Sequence, residues 1–255
     1  MFQFSAFIQA ELQRSGARLA LISRSGLDLQ RFAHRHSHAG LSLLANPASP
    51  WAVRQLYYAC DEGQPRIFDQ GLAAFVLGTA DAALGYVSVV LLPEPAQRLL
   101  EQQALQPQAA LQLLGRHYSA NAYAFGQRYQ NCNQWVAELM AVAWGGQAST
   151  RQAAQQWLQQ SGYSPSVFDV GQPLLWLSRW MPWIHHDDHP EQDLRLRRFQ
   201  VSMPASLETF ARQQWPQAQR LQFCHNAQHM LLRRGWQDVQ DGCLHSPLDE
   251  LKLLR

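Results

Sequence analysis

Lysine is almost missing from this chain: Lys252 is alone among 21 basic residues, and the arginines are scattered rather than clustered. Against 19 acidic residues they leave a formal net charge of +2. That balance gives no electrostatic footprint for nucleic acid or an acidic membrane surface. No run of about eighteen apolar residues occurs, so no transmembrane helix is expected. The opening stretch MFQFSAFIQAELQRSG lacks a basic leader and an unbroken apolar core. Gln3, Gln9 and Glu11 suit an amphipathic first helix there, and no signal peptide is expected. The four cysteines, Cys60, Cys132, Cys224 and Cys243, lack CxxC or zinc-type spacing, so no metal knuckle is expected. Cys224 and Cys243 could pair if the protein is exported. No internal repeat is visible.

What is present is a globular composition: 255 residues, 47% hydrophobic and 16% charged, enough for one large domain or two modest ones. ARLALISRSG reads as a strand ending at Ser25-Gly26, and LDLQRFAHRH as a short helix or loop. SHAGLSLLA reads as a second strand, NPASP (46–50) as a turn, and WAVRQLYYA as a third strand. In that third strand Trp51, Val53, Gln55 and Tyr57 share one face. GYVSVVLLPE is a valine-rich β segment, and residues 94–115 are helical with a break at Pro107. The texture changes near Ser161, where the chain becomes rich in proline and tryptophan. A helix (SLETFARQQW) and two strands (RLQFCH, HMLLRRGW) follow. These segments predict a unit over 1–160 and a C-terminal extension over 161–255 packed on it, or one continuous domain.

One cysteine opens an apolar helical pattern, in RYQNCNQWVAELMAVAWGG. With Asn131 as N-cap, Cys132 is the first helical residue and Gln134 the third, a capping-box variant in which each side chain can serve the other's backbone N–H. Gly145-Gly146 is the stop signal. The unpaired N–H groups and partial positive charge of a helix N-terminus favour a thiolate and could hold an oxyanion. A buried cysteine filling space would look the same from sequence, so the chemistry needs a base. HRHSHAG supplies His34, His36 and His38. No acidic or cysteine ligand lies nearby, so His34 and His36 are expected as solvated loop residues. His38 opens a strand, where an imidazole is held firmly and Gly40 leaves room beside it.

Taken together, SHAGLSL, WAVRQL and NCNQWVAEL resemble the circularly permuted branch of the papain-like, NlpC-type hydrolase superfamily, in which the histidine strand precedes the cysteine helix. NAYAF (121–125) looks like the aromatic segment those relatives carry before the cysteine. More closely, LISRSGLDLQRFAHRHSHAG, WAVRQLYYACDEGQPRIFDQG, RYQNCNQWVAEL and VSMPASLETF resemble the bacterial domain of unknown function 2145 family over most of the chain. The resemblance implies an α+β fold, an antiparallel sheet packed on helices with a papain-like core and a C-terminal α/β extension. It makes Cys132 the nucleophile, His38 its base and Gln55 the orienting third residue, with Asp61 and Glu62 as alternative carboxylates. Tyr57, Tyr123, Tyr129 and Asn131 are the expected substrate-binding residues.

The activity so implied is a thiol hydrolase or acyltransferase acting through an acyl-enzyme. Its expected partner is a small peptide or lipid-like substrate, cell-envelope peptides first; no cofactor is expected, and the oligomeric state stays open. The resemblance implies a periplasmic protein, yet no signal peptide is readable at Met1: either the start is misplaced or truncated, or the protein is cytoplasmic. The rival expectations are a non-catalytic binding module on the same scaffold and a membrane-surface protein. The last rests on Trp176, Trp180 and Trp183, spaced i, i+4 and i+7 after Pro173. The plainer expectation for that stripe is a helix buried against the main unit. His185, His186, Asp187, Asp188, His189, Glu191 and Asp193 are expected as a solvated acidic loop rather than a cation site. His225 and His229 beside Cys224 form a second conceivable dyad without a helix cap.

Overall fold

The computed structural model describes residues 2–79, 81–146, 149–178 and 180–254. Helix α1 (Phe2–Arg14) buries Phe4, Phe7, Ile8 and Leu12, which recur at helical spacing. Strands β1 (Leu19–Arg24), β2 (His38–Leu43), β3 (Ala52–Ala59) and β4 (Gln64–Gln70) follow, then the short helix α2 (Leu72–Leu77) and β5 (Gly85–Leu91). Pro107 starts a new helix at its first turn, where a missing N–H costs nothing. It therefore divides α3 (Glu94–Leu105) from α4 (Pro107–Gln112). Two short strands, β6 (His117–Tyr118) and β7 (Tyr129–Gln130), lead into α5 (Cys132–Gly145) and α6 (Arg151–Gln160). The remainder comprises β8 (Ser166–Asp169), α7 (Gln172–Ser178), α8 (Glu191–Leu196), β9 (Arg198–Val201), α9 (Pro204–Gln214), β10 (Gln219–His225), β11 (His229–Arg234) and β12 (Asp249–Leu253).

Eight strands form one antiparallel sheet in the order β12-β11-β10-β5-β1-β2-β3-β4. The fold is thus a mixed α+β architecture around a large antiparallel sheet. Residue 160 is no seam in that sheet, because β10 pairs with β5 from Gln219↔Leu91 to His225↔Gly85. Both faces of the central strands are covered, which is why LALI in β1 is continuously apolar. Leu19 and Leu21 pack with Ala39, Leu41, Trp135, Leu139 and Leu207 on one face. Ala20 and Ile22 pack with Val53, Phe4, Ile8 and Phe75 on the other. Helix α5 lies at the centre of the first face and ends where expected, with Gly146 in the left-handed conformation at φ 69°.

Several C-terminal expectations need correction. The tryptophan stripe is not a buried helix: α7 stops at Ser178, and Trp176, Trp180 and Trp183 are 60%, 77% and 40% exposed. Pro182 accounts for the stop, since it lacks a donor and disfavours helical backbone at Met181. The His/Asp tract is not a solvated loop. His189 is buried with Nε2 on the Asn121 carbonyl at 2.8 Å, and Asp188 accepts from the Tyr123 N–H at 2.9 Å. His186 Nε2 meets Ser178 Oγ at 2.7 Å, and Asp187 pairs with Arg128 at 2.7 Å. Among the described residues, no group of three or more His, Cys, Asp or Glu is arranged to hold a metal. Cys224 and Cys243 form a disulfide with Cα atoms 5.7 Å apart, which removes Cys224 from any dyad with His225 or His229. No helix among the described residues is long and apolar enough to cross a membrane.

Candidate active site

The site is assembled where α5 begins over the start of β2. Asn131 caps the helix as its spacing predicts, its side chain accepting from the Gln134 N–H at 2.7 Å. The reciprocal half of the box is not made. Gln134 Nε2 instead reaches the carbonyls of Tyr123, Ala124 and Gly126 at 3.3, 3.3 and 3.2 Å. Those carbonyls belong to a turn packed under the helix; with Nε2 turned to them, Gln134 Oε1 is buried without a partner instead of accepting from the Asn131 N–H. Asn131 Nδ2 also donates to Ala120 and Ser202, both at 3.3 Å, so its role here is to anchor the helix start rather than to line a cleft.

One turn further along, Glu138 is fully buried and receives Arg151 Nε at 2.9 Å, Gln130 Nε2 at 2.6 Å and Gln155 Nε2 at 2.6 Å. Arg151 in turn donates to the Gln127, Gly126 and Tyr129 carbonyls at 2.9, 3.2 and 3.0 Å. This network fixes the segment that delivers Cys132 to the helix N-terminus. Burial pushes the Glu138 carboxyl up, opposed by Arg151 and by the hydrogen bonds of Gln155 and Gln130.

Cys132 is a free thiol, 6% exposed. Burial pushes it up to about 11, against the pull of the Asn133 N–H, the Arg24 charge and the N–H groups of Ala39 and Cys132 itself. The Ala39 contact places the sulfur beside the His38–Ala39 peptide. Asn133 strengthens that docking, donating from Nδ2 to the Ser37 carbonyl at 3.2 Å.

His38 is half-buried at the first position of β2, and its Nε2 hydrogen-bonds Gln55 Oε1. Gly40 makes this diagonal contact between neighbouring strands possible: a Cβ there would stand 3.2 Å from the Gln55 Cβ and 2.6 Å from Val53 Cγ1. Gln55 is held in turn by its Nε2 donating to Gln70 Oε1 at 2.7 Å. With Gln55 Oε1 accepting, the proton sits on Nε2 and the Nδ1 lone pair is left free. Burial, and then the Arg24 charge, push His38 down to about 4, opposed by the Gln55 bond. At neutral pH, therefore, both the thiol and the imidazole are uncharged. Strand alternation turns His38 toward Phe75, with ring centroids 5.8 Å apart, while Cys132 belongs to the core on the opposite face. No hydrogen bond joins the sulfur to the ring; what links them is the N–H of Ala39, the residue after His38, which faces the sulfur.

The other expected residues fall in different places. Glu62 lies in the exposed β3–β4 turn, where it pairs with Arg66 and Gln64, and Asp61 beside it is exposed. The imidazole partner is an amide, not either of these carboxylates. Tyr57 is exposed on β3. Tyr129 is buried and stacked on His185 at 4.5 Å, and Tyr123 packs near His189 at 5.5 Å, so both rings contact the His/Asp tract. His36 is buried rather than solvated, and burial lowers it to about 3. His34 stacks on Phe168 at 4.9 Å.

Two neighbours of the site escaped sequence reasoning. Tyr118 stacks on Tyr58 at 5.0 Å; burial first, then the charges of Cys132, Cys60 and Tyr57, push its hydroxyl well up. Arg24 ends β1 directly opposite His38. A strand-ending arginine was the signal available for it, and only the strand register gives that residue a neighbour. A cavity of about 400 Å³ opens past the end of β1, lined by Ser25, Gly26, Asp28, His34, Asp81 and Tyr86 among others, without Cys132 or His38.

Comparison with known proteins places the chain in a family but not beside a characterised relative. No curated protein and no solved structure gives a significant match. Residues 11–211 match the family model described as an uncharacterized protein conserved in bacteria (DUF2145), a span that includes Arg24, His38, Gln55 and Cys132. The chain belongs to that bacterial family.

Proposed function

We propose that the protein is a thiol hydrolase or acyltransferase with a papain-like core of the permuted NlpC type. The observation that carries this reading is the hydrogen bond from His38 to Gln55, made beside the Ala39 N–H that faces Cys132. An amide acceptor on Nε2 leaves Nδ1 as the base, the tautomer a thiol nucleophile needs. Because thiol and imidazole are both neutral at rest, proton transfer accompanies attack instead of preceding it. The Cys132 sulfur bonds to the carbonyl carbon of an amide or ester as its proton passes to His38 Nδ1. The oxyanion is held by N–H groups at the α5 N-terminus, which also sense the sulfur. Collapse breaks the bond to the amine or alcohol, which leaves with the His38 proton. Water, or a second acceptor in an acyl transfer, then cleaves the thioester with His38 as base. None of these steps calls for a metal or cofactor.

Cell-envelope peptides are the substrate class that fits the resemblance, with lipid esters or amides next. The Cys224–Cys243 disulfide supports an oxidising, exported setting such as the periplasm. The test is to mix the protein with an activated acyl ester and record its intact mass. An acyl adduct that maps to Cys132 and vanishes in Cys132→Ala is expected; hydrolysis that persists in that variant refutes the reading.

A second reading, a non-catalytic binding module on the same scaffold, is favoured by the buried sulfur and by the missing bond between sulfur and ring. It predicts no acyl adduct at any pH.

A further inference from the structure

Arg24 carries a charge that no carboxylate among the described residues answers. As the last residue of β1 it pairs with His38 across the β1–β2 register, so both side chains stand on the same face of the sheet. Its guanidinium lies over the Phe75 ring at 5.3 Å. Two glycines make room for it: a Cβ at Gly78 would stand 2.6 Å from Nη2, and one at Gly26 2.9 Å from Nη1. Nη1 donates to the carbonyls of Gly78 and Ser25, both neutral. Nε is buried with no partner at all.

Among the described residues no carboxylate pairs with Arg24. Other poorly exposed arginines differ: Arg54 has Asp69, Arg151 has Glu138 and Arg233 has Asp249. A sequestered guanidinium without an anion is costly, and such an exception marks a place where a ligand completes the structure. Its link to Cys132 runs through Ser37, whose N–H donates to the Arg24 carbonyl at 3.1 Å and whose own carbonyl accepts from Asn133 Nδ2 at 3.2 Å; the Cys132 thiol, whose charge would act on Arg24, is protonated at neutral pH. The donors left over, Nε and Nη2, form one edge of the planar group, the fork that takes a carboxylate through two parallel hydrogen bonds.

We propose that Arg24 forms an anion subsite beside Cys132, and that the substrate bears a free carboxylate next to the carbonyl under attack. This rests on Cys132 being the nucleophile. It narrows the substrate class to peptides, or other amides and esters, with an acidic group adjoining the scissile bond.

The test compares alkylation of Cys132 by iodoacetate, which carries a carboxylate, and by iodoacetamide, which does not. In both reactions the sulfur displaces iodide and forms a carbon–sulfur bond. Cys60, exposed and free, is the reference within the same molecule. Peptide mass spectrometry should give an iodoacetate-to-iodoacetamide rate ratio at Cys132 at least about tenfold above that at Cys60. Arg24→Gln should bring the two ratios together, and Arg24→Lys should leave an intermediate value. A measurement on the unaltered protein stands beside this: a dipeptide with a free C-terminal carboxylate should slow iodoacetamide at Cys132, and its C-terminal amide should not. Equal slowing of both reagents in Arg24→Gln, or equal protection by acid and amide, overturns the subsite and leaves the nucleophile standing. Failure of both reagents to modify Cys132 overturns both, and failure of iodoacetate alone overturns the subsite.

Discussion

Replacing Gly40 by alanine probes the contact on which the His38–Gln55 pair depends. The added methyl would stand 2.6 Å from Val53 Cγ1, 2.9 Å from the Arg54 carbonyl oxygen and 3.2 Å from the Gln55 Cβ. Ordinary contacts at these atoms fall near 3.5 Å or beyond. Val53 is fully buried in a packed core, and the Arg54 carbonyl belongs to the β3 backbone paired with β2 and β4, so the strands must part. Forcing one methyl into a packed site costs about 1–3 kcal/mol. Taking about 2 kcal/mol, thermal unfolding should fall by about 4–8 °C in a chain of this size, with a lowered urea midpoint at an unchanged slope. The displacement also carries Gln55 away from His38, so acylation of Cys132 should slow by more than the folded fraction explains. A Gly40→Ala protein that melts within a degree of the parent and acylates at the parent rate would refute this reasoning.

The Glu138–Arg151 network should behave as a buried pair. Glu138→Gln leaves Arg151 without its counter-charge and should cost about 3–5 kcal/mol, measured by urea unfolding, with loosened protection of amides at 126–130 by hydrogen exchange. His36 makes stability depend on acid. Its folded pKa, about 3, lies below the ordinary 6.5, so the unfolded chain takes up the proton first as pH falls. Its contribution is full above pH 7 and is lost from pH 6.5 downward; the loss is about 2 kcal/mol between pH 7 and pH 5. His36→Gln should remove that part of the slope, and an unchanged slope would refute the assignment. The exposed tryptophans invite a separate measurement. If they dock on a lipid surface, the protein floats with zwitterionic liposomes, and Trp180→Ser with Trp176→Ser abolishes it; flotation unaffected by both changes excludes them as the anchor.

Much of the site was legible where the cue was local. Asn131 announced the helix start because a cap and its helix are neighbours in sequence. His38 and Gln55 were singled out by the resemblance, on two successive strands whose starts are legible locally; the hydrogen bond between them is what the structure adds. Gly145-Gly146 and Pro107 punctuated helices for reasons of backbone geometry alone. What escaped depends on distant pairing. Arg24 meets His38 only through the β1–β2 register, and β10 meets β5 across more than a hundred residues of chain. The His/Asp tract looked solvated because polar residues usually are. It is drawn inward by Asn121 and by the Tyr123 N–H, groups 65 to 68 residues away that need partners of their own. The tryptophan spacing suggested one helix, but Pro182 outweighs a period of 3.6.

The most direct test of the central claim is the rate at which Cys132 is acylated by an activated ester in the parent protein and in His38→Ala, followed by intact mass at pH 7.5. General-base help to a neutral thiol predicts a fall of about 10²–10⁴-fold on loss of the imidazole. A much smaller fall is expected for Gln55→Ala, which frees the tautomer but keeps the base. Equal acylation rates in the parent and in His38→Ala would contradict the dyad.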